Sequence, residues 1–315
     1  MDPTPRYAAA EAALWDAAGV EPTVRFLTLA SGPSVRVQEV GDGPPVLFVH
    51  GGINNGTSWS NLIGLLPGFR CIALDRPGCG FSDPIGGAAG LAEIGAVKNY
   101  ADSLIVEVLD ALDLERATVV ATSFGGFFAF RGASAHPDRF ERIVEMSWSM
   151  GAPMEKVVLS LRAGAVPGMR QLMAKMPVSR GAVRMMLRQI GLKRAIGNGR
   201  FGDDMVEWFY VMLRDTDTMA NEMRSTPAIF TPIAGLNEDM LFTDDELGRI
   251  SSPVQFIWGA EDPNGGETVA RALVARFPDA ALQMLDEAGH APWIDEPERC
   301  VELMLPFFSA ESTPE

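Results

Sequence analysis

Short apolar runs that stop abruptly at polar residues or glycine constrain the fold of this chain more than any other feature. The runs are residues 45–49, 71–74, 117–121 and 254–258. Continuous apolar runs are typical of strands that are buried on both faces of a sheet. Residues 97–112 and 268–277 have helical periodicity. Because strands that alternate with helices form parallel sheets, the chain is predicted to be an α/β protein with a mostly parallel sheet and helices on both faces.

Two further segments depart from this rhythm. Residues 24–29 and 35–40 alternate apolar and polar positions around Ser-Gly-Pro, which predicts an antiparallel hairpin before the parallel strands. Residues 152–246 are helical in pattern and rich in Met, Arg and Leu. We interpret this segment as a helical cap inserted into a core that comprises residues 1–151 and 247–315.

The cap side chains leave two interpretations open. Its methionines either line an adaptable apolar pocket or pack the cap against itself and the core. Its arginines either meet a substrate carboxylate or form a solvated helix face. The methionines are Met154, Met169, Met173, Met176, Met185, Met186, Met212 and Met219, and the arginines are Arg162, Arg170, Arg184, Arg188 and Arg214.

Composition excludes several classes of function. A net charge of -15 and a pI near 4.7 argue against a nucleic-acid surface, which needs clustered Lys and Arg. No apolar run approaches the roughly 18 residues of a membrane span, and the N-terminus has no secretory pattern. The three cysteines match neither a disulfide framework nor a zinc site. We therefore expect a cytoplasmic protein without metal or cofactor, whose partner is a small-molecule substrate, and leave a homodimer open.

A serine occupies the junction between one buried strand and the following helix. Ser123 is flanked two residues away on either side by Ala121 and Gly125. A sharp strand-to-helix turn strains the central residue and requires small neighbours, while the serine Oγ projects outward. Alanine at the first position departs mildly from G-x-S-x-G, and a serine that merely caps the helix is the alternative. The context favours Ser123 as a nucleophile.

Such a serine needs a base, and the chain has three histidines. His290 lies in a loop after the last predicted strand, 281–285, which suits a base. His136 lies at the far end of the helix that follows Ser123, so it is expected on the surface. His50 ends an apolar strand before Gly51 and Gly52, and a role in shaping this glycine turn is favoured over proton transfer.

The base in turn needs a carboxylate that accepts its second N–H. Asp262 follows the strand at 254–258, and its spacing from Gly259 favours it, with the adjacent Glu261 as the competitor. The other usual place for an acid, after residues 143–146, holds only Ser-Trp-Ser. The backbone N–H groups of Gly52 and Phe124 are the candidate oxyanion donors, supported by His50 and Gly51. Residues 75–83 are polar and rich in turns, and we interpret them as structural, with Asp75 and Arg76 either paired with each other or capping the turn.

Five ordered motifs resemble those of the α/β-hydrolase superfamily over residues 24–308. They are FVHGG at 48–52, DRPGCGFSD at 75–83, ATSFGG at 121–126, WGAEDP at 258–263 and AGHAPWIDEPE at 288–298. The resemblance implies an α/β-hydrolase fold with an eight-stranded sheet and a helical cap inserted after the sixth strand. It also implies that Ser123, Asp262 and His290 occupy the catalytic places.

The resemblance implies hydrolysis without fixing the bond. A serine nucleophile argues against the haloalkane dehalogenase and epoxide hydrolase branches, which use aspartate there, and His-Gly-Gly-Ile-Asn lacks the His-Gly-Gly-Pro-Gly of proline iminopeptidases. We expect an esterase that acts on a medium-sized, mostly apolar carboxylic ester. Hydrolysis of a carbon–carbon bond in a diketone-like substrate is the alternative, and a ligand-binding homologue with little or no turnover is the alternative from another class.

Overall fold

An eight-stranded, mostly parallel sheet forms the centre of the molecule. The computed structural model describes residues 3–85, 91–157, 159–166, 168–169, 178–233 and 235–310. The strands lie in the order β1-β2-β4-β3-β5-β6-β9-β10, and only the β1–β2 and β2–β4 pairs are antiparallel. Their bounds are β1 Thr23–Thr28, β2 Ser34–Val40, β3 Pro45–Val49, β4 Arg70–Leu74, β5 Ala117–Ser123, β6 Phe140–Ser149, β9 Val254–Gly259 and β10 Ala280–Leu285. The predicted hairpin and parallel sheet are confirmed.

The sheet carries helices on both faces. Their bounds are α1 Pro5–Ala17, α2 Ser60–Ile63, α3 Ile94–Ala111, α4 Phe124–Ala135, α11 Glu267–Val274, α12 Pro292–Asp295 and α13 Pro297–Ser309. One apolar core joins the sheet to α3, α4 and α11, with Leu104, Phe127 and Leu273 fully buried. A second core joins the opposite face to α1, α2 and α13, with Tyr7 and Leu62 fully buried. None of the described helices is long and apolar enough to cross a membrane.

The segment between β6 and β9, residues 152–246, is mostly helical where it is described, and we call it the cap segment. It holds α5 Leu159–Gly164, α6 Arg180–Leu187, α7 Lys193–Gly197, α8 Asp203–Asp215, α9 Thr218–Ile229, α10 Asp244–Gly248 and the two-residue strands β7 Phe230–Thr231 and β8 Gly235–Leu236. Arg6 of α1 donates to Glu207 of α8 at 2.8 Å, so the N-terminal helix packs against this segment. The division of the chain at residues 152 and 246 into two units stays a prediction.

Candidate active site

Ser123 lies at the turn between β5 and α4. The strand ends at Ser123 and the helix begins at Phe124. Its φ of 55° and ψ of -119° lie in a region that residues other than glycine rarely adopt. This strained conformation is what the small flanking residues predict for a projecting nucleophile.

The neighbours of this turn leave no space for larger side chains. A Cβ added to Gly125 would collide with the carbonyl oxygen of Val49, and one added to Gly51 would lie 3.0 Å from the Cβ of Ser123. The glycines therefore allow β3 and β5 to bring the His-Gly-Gly turn directly against the serine. The two segments predicted to supply oxyanion donors are adjacent in space.

Asp262 and His290 form a buried pair across two loops. The His290 Nδ1–H donates to Asp262 Oδ2 at 2.7 Å. The backbone N–H of Trp148 donates to the same oxygen at 3.0 Å, and the backbone N–H of Asn264 donates to Asp262 Oδ1 at 2.9 Å. The side-chain amide of Asn264 lies 3.1 Å from His290 Nδ1. Two backbone donors thus fix this carboxylate. The carboxylate binds His290 through Nδ1, which leaves Nε2 as the nitrogen that can act as a base.

The competing residues lie elsewhere. Glu261 is largely exposed and pairs with Arg194 at 2.8 Å, so the structure brings Asp262 and not Glu261 to His290. His136 follows the last residue of α4, one helix length from Ser123. His50 is fully buried beneath the glycine turn.

Hydrogen bonds from His50 and Arg76 hold the glycine turn. The His50 Nδ1–H donates to the carbonyl of Gly51 at 2.7 Å, and His50 Nε2 accepts the backbone N–H of Arg76 at 3.0 Å. Burial and the nearby Arg76 charge keep the pKa of His50 well below its ordinary value. A neutral imidazole has one donor and one acceptor, and His50 uses both of them on the backbone of Gly51 and Arg76.

The loop at residues 75–83 uses its two charged residues separately. Arg76 donates to the carbonyls of His50 and Gly51 at 2.9 and 2.8 Å. Asp75 accepts the backbone N–H of Gly56 at 2.8 Å and pairs with Arg36 at 3.6 Å. The two residues therefore brace different parts of the core and do not pair with each other, although pairing was one of the interpretations that the sequence allowed.

A buried carboxyl lies behind the nucleophile turn. Glu145 of β6 is fully buried, and its Oε1 accepts the backbone N–H of Ser123 at 3.1 Å. Its Oε2 has no hydrogen-bond partner. Burial raises the pKa of Glu145 well above its ordinary value, and the neighbouring Asp262 charge raises it further. Burial therefore favours the neutral form of this carboxyl over the charged form.

A cavity of about 370 Å³ opens above Ser123 and His290. Its lining combines core side chains, including Trp148 and Trp293, with cap side chains, including Trp208 and Phe209. Among the predicted methionines, Met154, Met185, Met186 and Met219 line the cavity, together with Met150, Met205 and Met223. Met212 is fully buried and Met169 is partly exposed, and neither lines the cavity; Met173 and Met176 lie outside the described residues.

The charged lining of the cavity bears on the two interpretations left open for the cap arginines, and it does not support contact with a substrate carboxylate. Among the described lining residues, Glu222 is the one carboxylate and no Lys or Arg occurs. Arg184 pairs with Asp203, and Arg214 pairs with Asp215 at 3.5 Å. Arg162 and Arg188 do not belong to the lining either, and Arg170 lies outside the described residues. The described part of the cavity therefore contains no Lys or Arg that could pair with a substrate carboxylate.

Several residues of the site carry no signal that sequence reasoning used. Asn264 follows Asp262 by two residues, and an aspartate side chain in a turn commonly accepts the backbone N–H two residues further on. This spacing is the sequence signal that could have indicated Asn264. Glu222 and Glu145 lie within a helix and a strand, and only the three-dimensional arrangement brings them to the turns around Ser123. Among the described residues, no three His, Cys, Asp or Glu side chains are grouped to hold a metal ion.

Comparisons with known proteins agree with this architecture. The model of the alpha/beta hydrolase fold family matches residues 44–297, and the chain belongs to this family. A 2-hydroxy-6-oxononadienedioate/2-hydroxy-6-oxononatrienedioate hydrolase of Cupriavidus pinatubonensis is 26% identical over 293 residues, which cover 86% of this chain and 90% of that relative.

Two solved structures share the fold. The 2-hydroxy-6-oxo-6-phenylhexa-2,4-dienoate hydrolase of a Rhodococcus species superimposes with a TM-score of 0.75 at 20% identity, covering 92% of this chain and 100% of that chain. The naproxen esterase of Bacillus subtilis gives a TM-score of 0.73 at 17% identity, covering 98% and 100%. These two likenesses support the fold alone.

Proposed function

We propose that the protein is a serine hydrolase that cleaves carboxylic esters of medium-sized, mostly apolar small molecules. The observation that carries this proposal is a cavity of about 370 Å³, lined mainly by apolar side chains, on which Ser123 and the Asp262-linked His290 both border. Apolar cavities of this size with a few convergent polar groups are typical of small-molecule sites.

The proposed chemistry assigns one role to each of these groups. His290 Nε2 takes the proton of Ser123 Oγ as the oxygen attacks the ester carbonyl, and the tetrahedral oxyanion accepts from the Gly52 and Phe124 N–H groups. The C–O bond to the alcohol then breaks, and His290 returns the proton to the leaving alcohol. Water, deprotonated by His290, then attacks the acyl carbon, the C–O bond to Ser123 breaks to release the acid, and His290 returns the proton to Ser123 Oγ.

Carbon–carbon bond hydrolysis is the second candidate, and the relative from Cupriavidus pinatubonensis supports it. The name of that relative's substrates describes dicarboxylates, whereas the described lining of this cavity contains the carboxylate of Glu222 and no cation. Because an unpaired substrate carboxylate is costly to desolvate, this charge pattern favours a neutral ester.

The three cysteines are buried free thiols, which supports the further proposal of a cytoplasmic location.

A substrate panel tests the proposal. Wild-type protein would be assayed with p-nitrophenyl esters of increasing acyl length beside 2-hydroxy-6-oxo-6-phenylhexa-2,4-dienoate. We expect ester turnover that falls by about 10⁵-fold or more in Ser123→Ala, the scale reported for loss of a serine nucleophile. Ser134→Ala is the matched control, since Ser134 lies buried at the far end of α4.

Faster turnover of the dienoate than of every ester would refute ester cleavage as the main activity and support carbon–carbon bond hydrolysis, the second candidate. Undiminished esterase activity in a correctly folded Ser123→Ala variant would refute the serine mechanism. Wild-type protein that turns over nothing and resists a fluorophosphonate would favour a ligand-binding homologue.

A further inference from the structure

One face of the cap helix α9 contacts the two core loops beside the nucleophile. Thr218, Asn221 and Glu222 are spaced i, i+3 and i+4, so they lie on the same side of the helix. Thr218 Oγ1 accepts the backbone N–H of Gly80 at 2.9 Å, and the Asn221 side chain donates to the carbonyl of Gly78 at 2.9 Å. These two contacts fix α9 on the loop of residues 75–83.

Glu222 reaches further, to the glycine turn itself. Its Oε2 accepts the backbone N–H of Ile53 at 3.1 Å and a guanidinium N–H of Arg76 at 3.0 Å. Ile53 has a φ of 47°, an unfavourable conformation for a β-branched residue. The same carboxylate oxygen lies 3.4 Å from the position that a Cβ on Gly52 would occupy. A cap carboxylate thus binds the strained residue next to the Gly52 N–H.

Arg76 extends this contact beneath the turn. Arg76 is only 2% exposed, and its guanidinium donates to the carbonyls of His50 and Gly51 and to the carboxylate of Glu222. The guanidinium also lies over the rings of Phe124 and Phe128, at 5.0 and 5.5 Å from their centroids. The backbone of the turn is therefore bonded from below by Arg76 and from the cap side by Glu222.

We propose that Glu222 is a positioning residue for the oxyanion turn, through which the cap segment holds Gly52 and Ile53 in the conformation that the reaction needs. This inference rests on the proposed serine-hydrolase function. Glu222 does not touch the reacting atoms in this account; it fixes the direction of the Gly52 N–H by binding the next peptide unit and the guanidinium beneath it. An oxyanion donor contributes only when it is aligned before the reaction. A looser turn therefore lowers the stabilisation of the transition state more than it lowers the affinity for substrate.

Two variants of Glu222 separate the contribution of its charge from that of its hydrogen-bond acceptor. Glu222→Ala leaves the Ile53 N–H without its acceptor and the buried guanidinium without its counter-charge. Glu222→Gln retains an acceptor oxygen of similar reach and loses only the charge. Glu207→Gln is the matched control, because Glu207 is another cap carboxylate in ion pairs, with Arg6 and Arg180, that do not touch the turn.

The first measurement is hydrogen exchange of the turn, which does not depend on activity. We expect the Ile53 amide to exchange about tenfold faster or more in Glu222→Ala, less so in Glu222→Gln, and unchanged in Glu207→Gln. Peptides from α3 and α4 serve as a global reference. Unchanged exchange at Ile53 in Glu222→Ala would overturn the inference, whether or not the wild type hydrolyses esters.

The second measurement is kinetic. We expect kcat on the best ester to fall about 10- to 100-fold in Glu222→Ala with KM within about threefold, and Glu222→Gln to recover most of it. The Ki of a trifluoromethyl ketone, which forms a tetrahedral oxyanion adduct on the serine, should rise in parallel, while that of the matching methyl ketone should not. A rise in KM at constant kcat would overturn the inference by assigning Glu222 to substrate binding. Wild-type protein without ester turnover, combined with faster Ile53 exchange in Glu222→Ala, would refute the proposed ester chemistry and support the positioning role.

Discussion

Replacing Asp262 by asparagine is the sharpest test of how the acid works. The two carboxylate oxygens accept three donors: His290 Nδ1–H at 2.7 Å, Trp148 N–H at 3.0 Å and Asn264 N–H at 2.9 Å. An amide has a single acceptor oxygen, so in either orientation its NH₂ faces at least one of these donors. Asp262→Asn therefore either turns His290 into the wrong tautomer or disrupts the loop at Asn264.

The size of the effect follows from this geometry. Loss of the correct tautomer in an otherwise intact site lowers kcat by about 10⁴-fold, which corresponds to about 5.5 kcal/mol of transition-state stabilisation. We expect a fall of this order for Asp262→Asn in steady-state hydrolysis of the best p-nitrophenyl ester, with KM little changed. Asp262 is buried, so circular dichroism and thermal melting must accompany the kinetics.

The neighbouring glutamate supplies the control. Glu261→Gln removes an exposed ion pair with Arg194, and we expect activity within about twofold of the wild type. An Asp262→Asn variant that folds normally and retains more than about a tenth of the activity would refute this role of Asp262. A larger loss in Glu261→Gln would refute it as well, because the acid would then be Glu261.

Two further predictions concern the surroundings of the site. The raised pKa of Glu145 means that the folded protein retains a proton that the unfolded chain releases above about pH 4.5, so this residue's contribution to stability declines as pH rises from there. The Gln side chain in Glu145→Gln cannot titrate. Urea unfolding at pH 5 and 7 should show that the free energy of unfolding of Glu145→Gln, relative to that of the wild type, rises by up to about 1.4 kcal/mol per pH unit. Parallel pH profiles of the two proteins would contradict this. Gly191 has a φ of 107°, and a Cβ there would lie 2.6 Å from the Cβ of His290. Gly191→Ala should therefore displace the base and lower kcat/KM by about tenfold or more, whereas Gly197→Ala, which has free space around it, should not; equal activities would refute this contact as a constraint on His290.

The sheet and the position of Ser123 could be predicted because both depend on local signals. Apolar runs that end at polar residues mark buried strands and their carboxyl ends, and parallel strands bring those ends to one edge of the sheet. The strands nevertheless run further than the apolar pattern indicates: β5 includes Thr122 and Ser123, and β6 continues through Ser149. Backbone pairing with the neighbouring strand extends these elements, and hydrophobic periodicity does not report it.

The contacts of the cap segment could not be predicted in this way. Helical periodicity identifies which cap residues are apolar, but it does not specify which helix face meets which core loop. Glu222 has the appearance of an ordinary solvated residue in the sequence, and only the packing of α9 brings it to Ile53 and Arg76. For the same reason the arginines considered as carboxylate ligands are absent from the described lining of the cavity.

The measurement that tests the central proposal most directly is the mass of the protein after treatment with a fluorophosphonate. A serine activated by His290 and facing an oxyanion site should form one covalent phosphonyl adduct, and peptide mapping should locate it at Ser123. Ser123→Ala should remain unmodified, and His290→Ala should react far more slowly. An unmodified wild-type protein, or an adduct on any residue other than Ser123, would contradict the account.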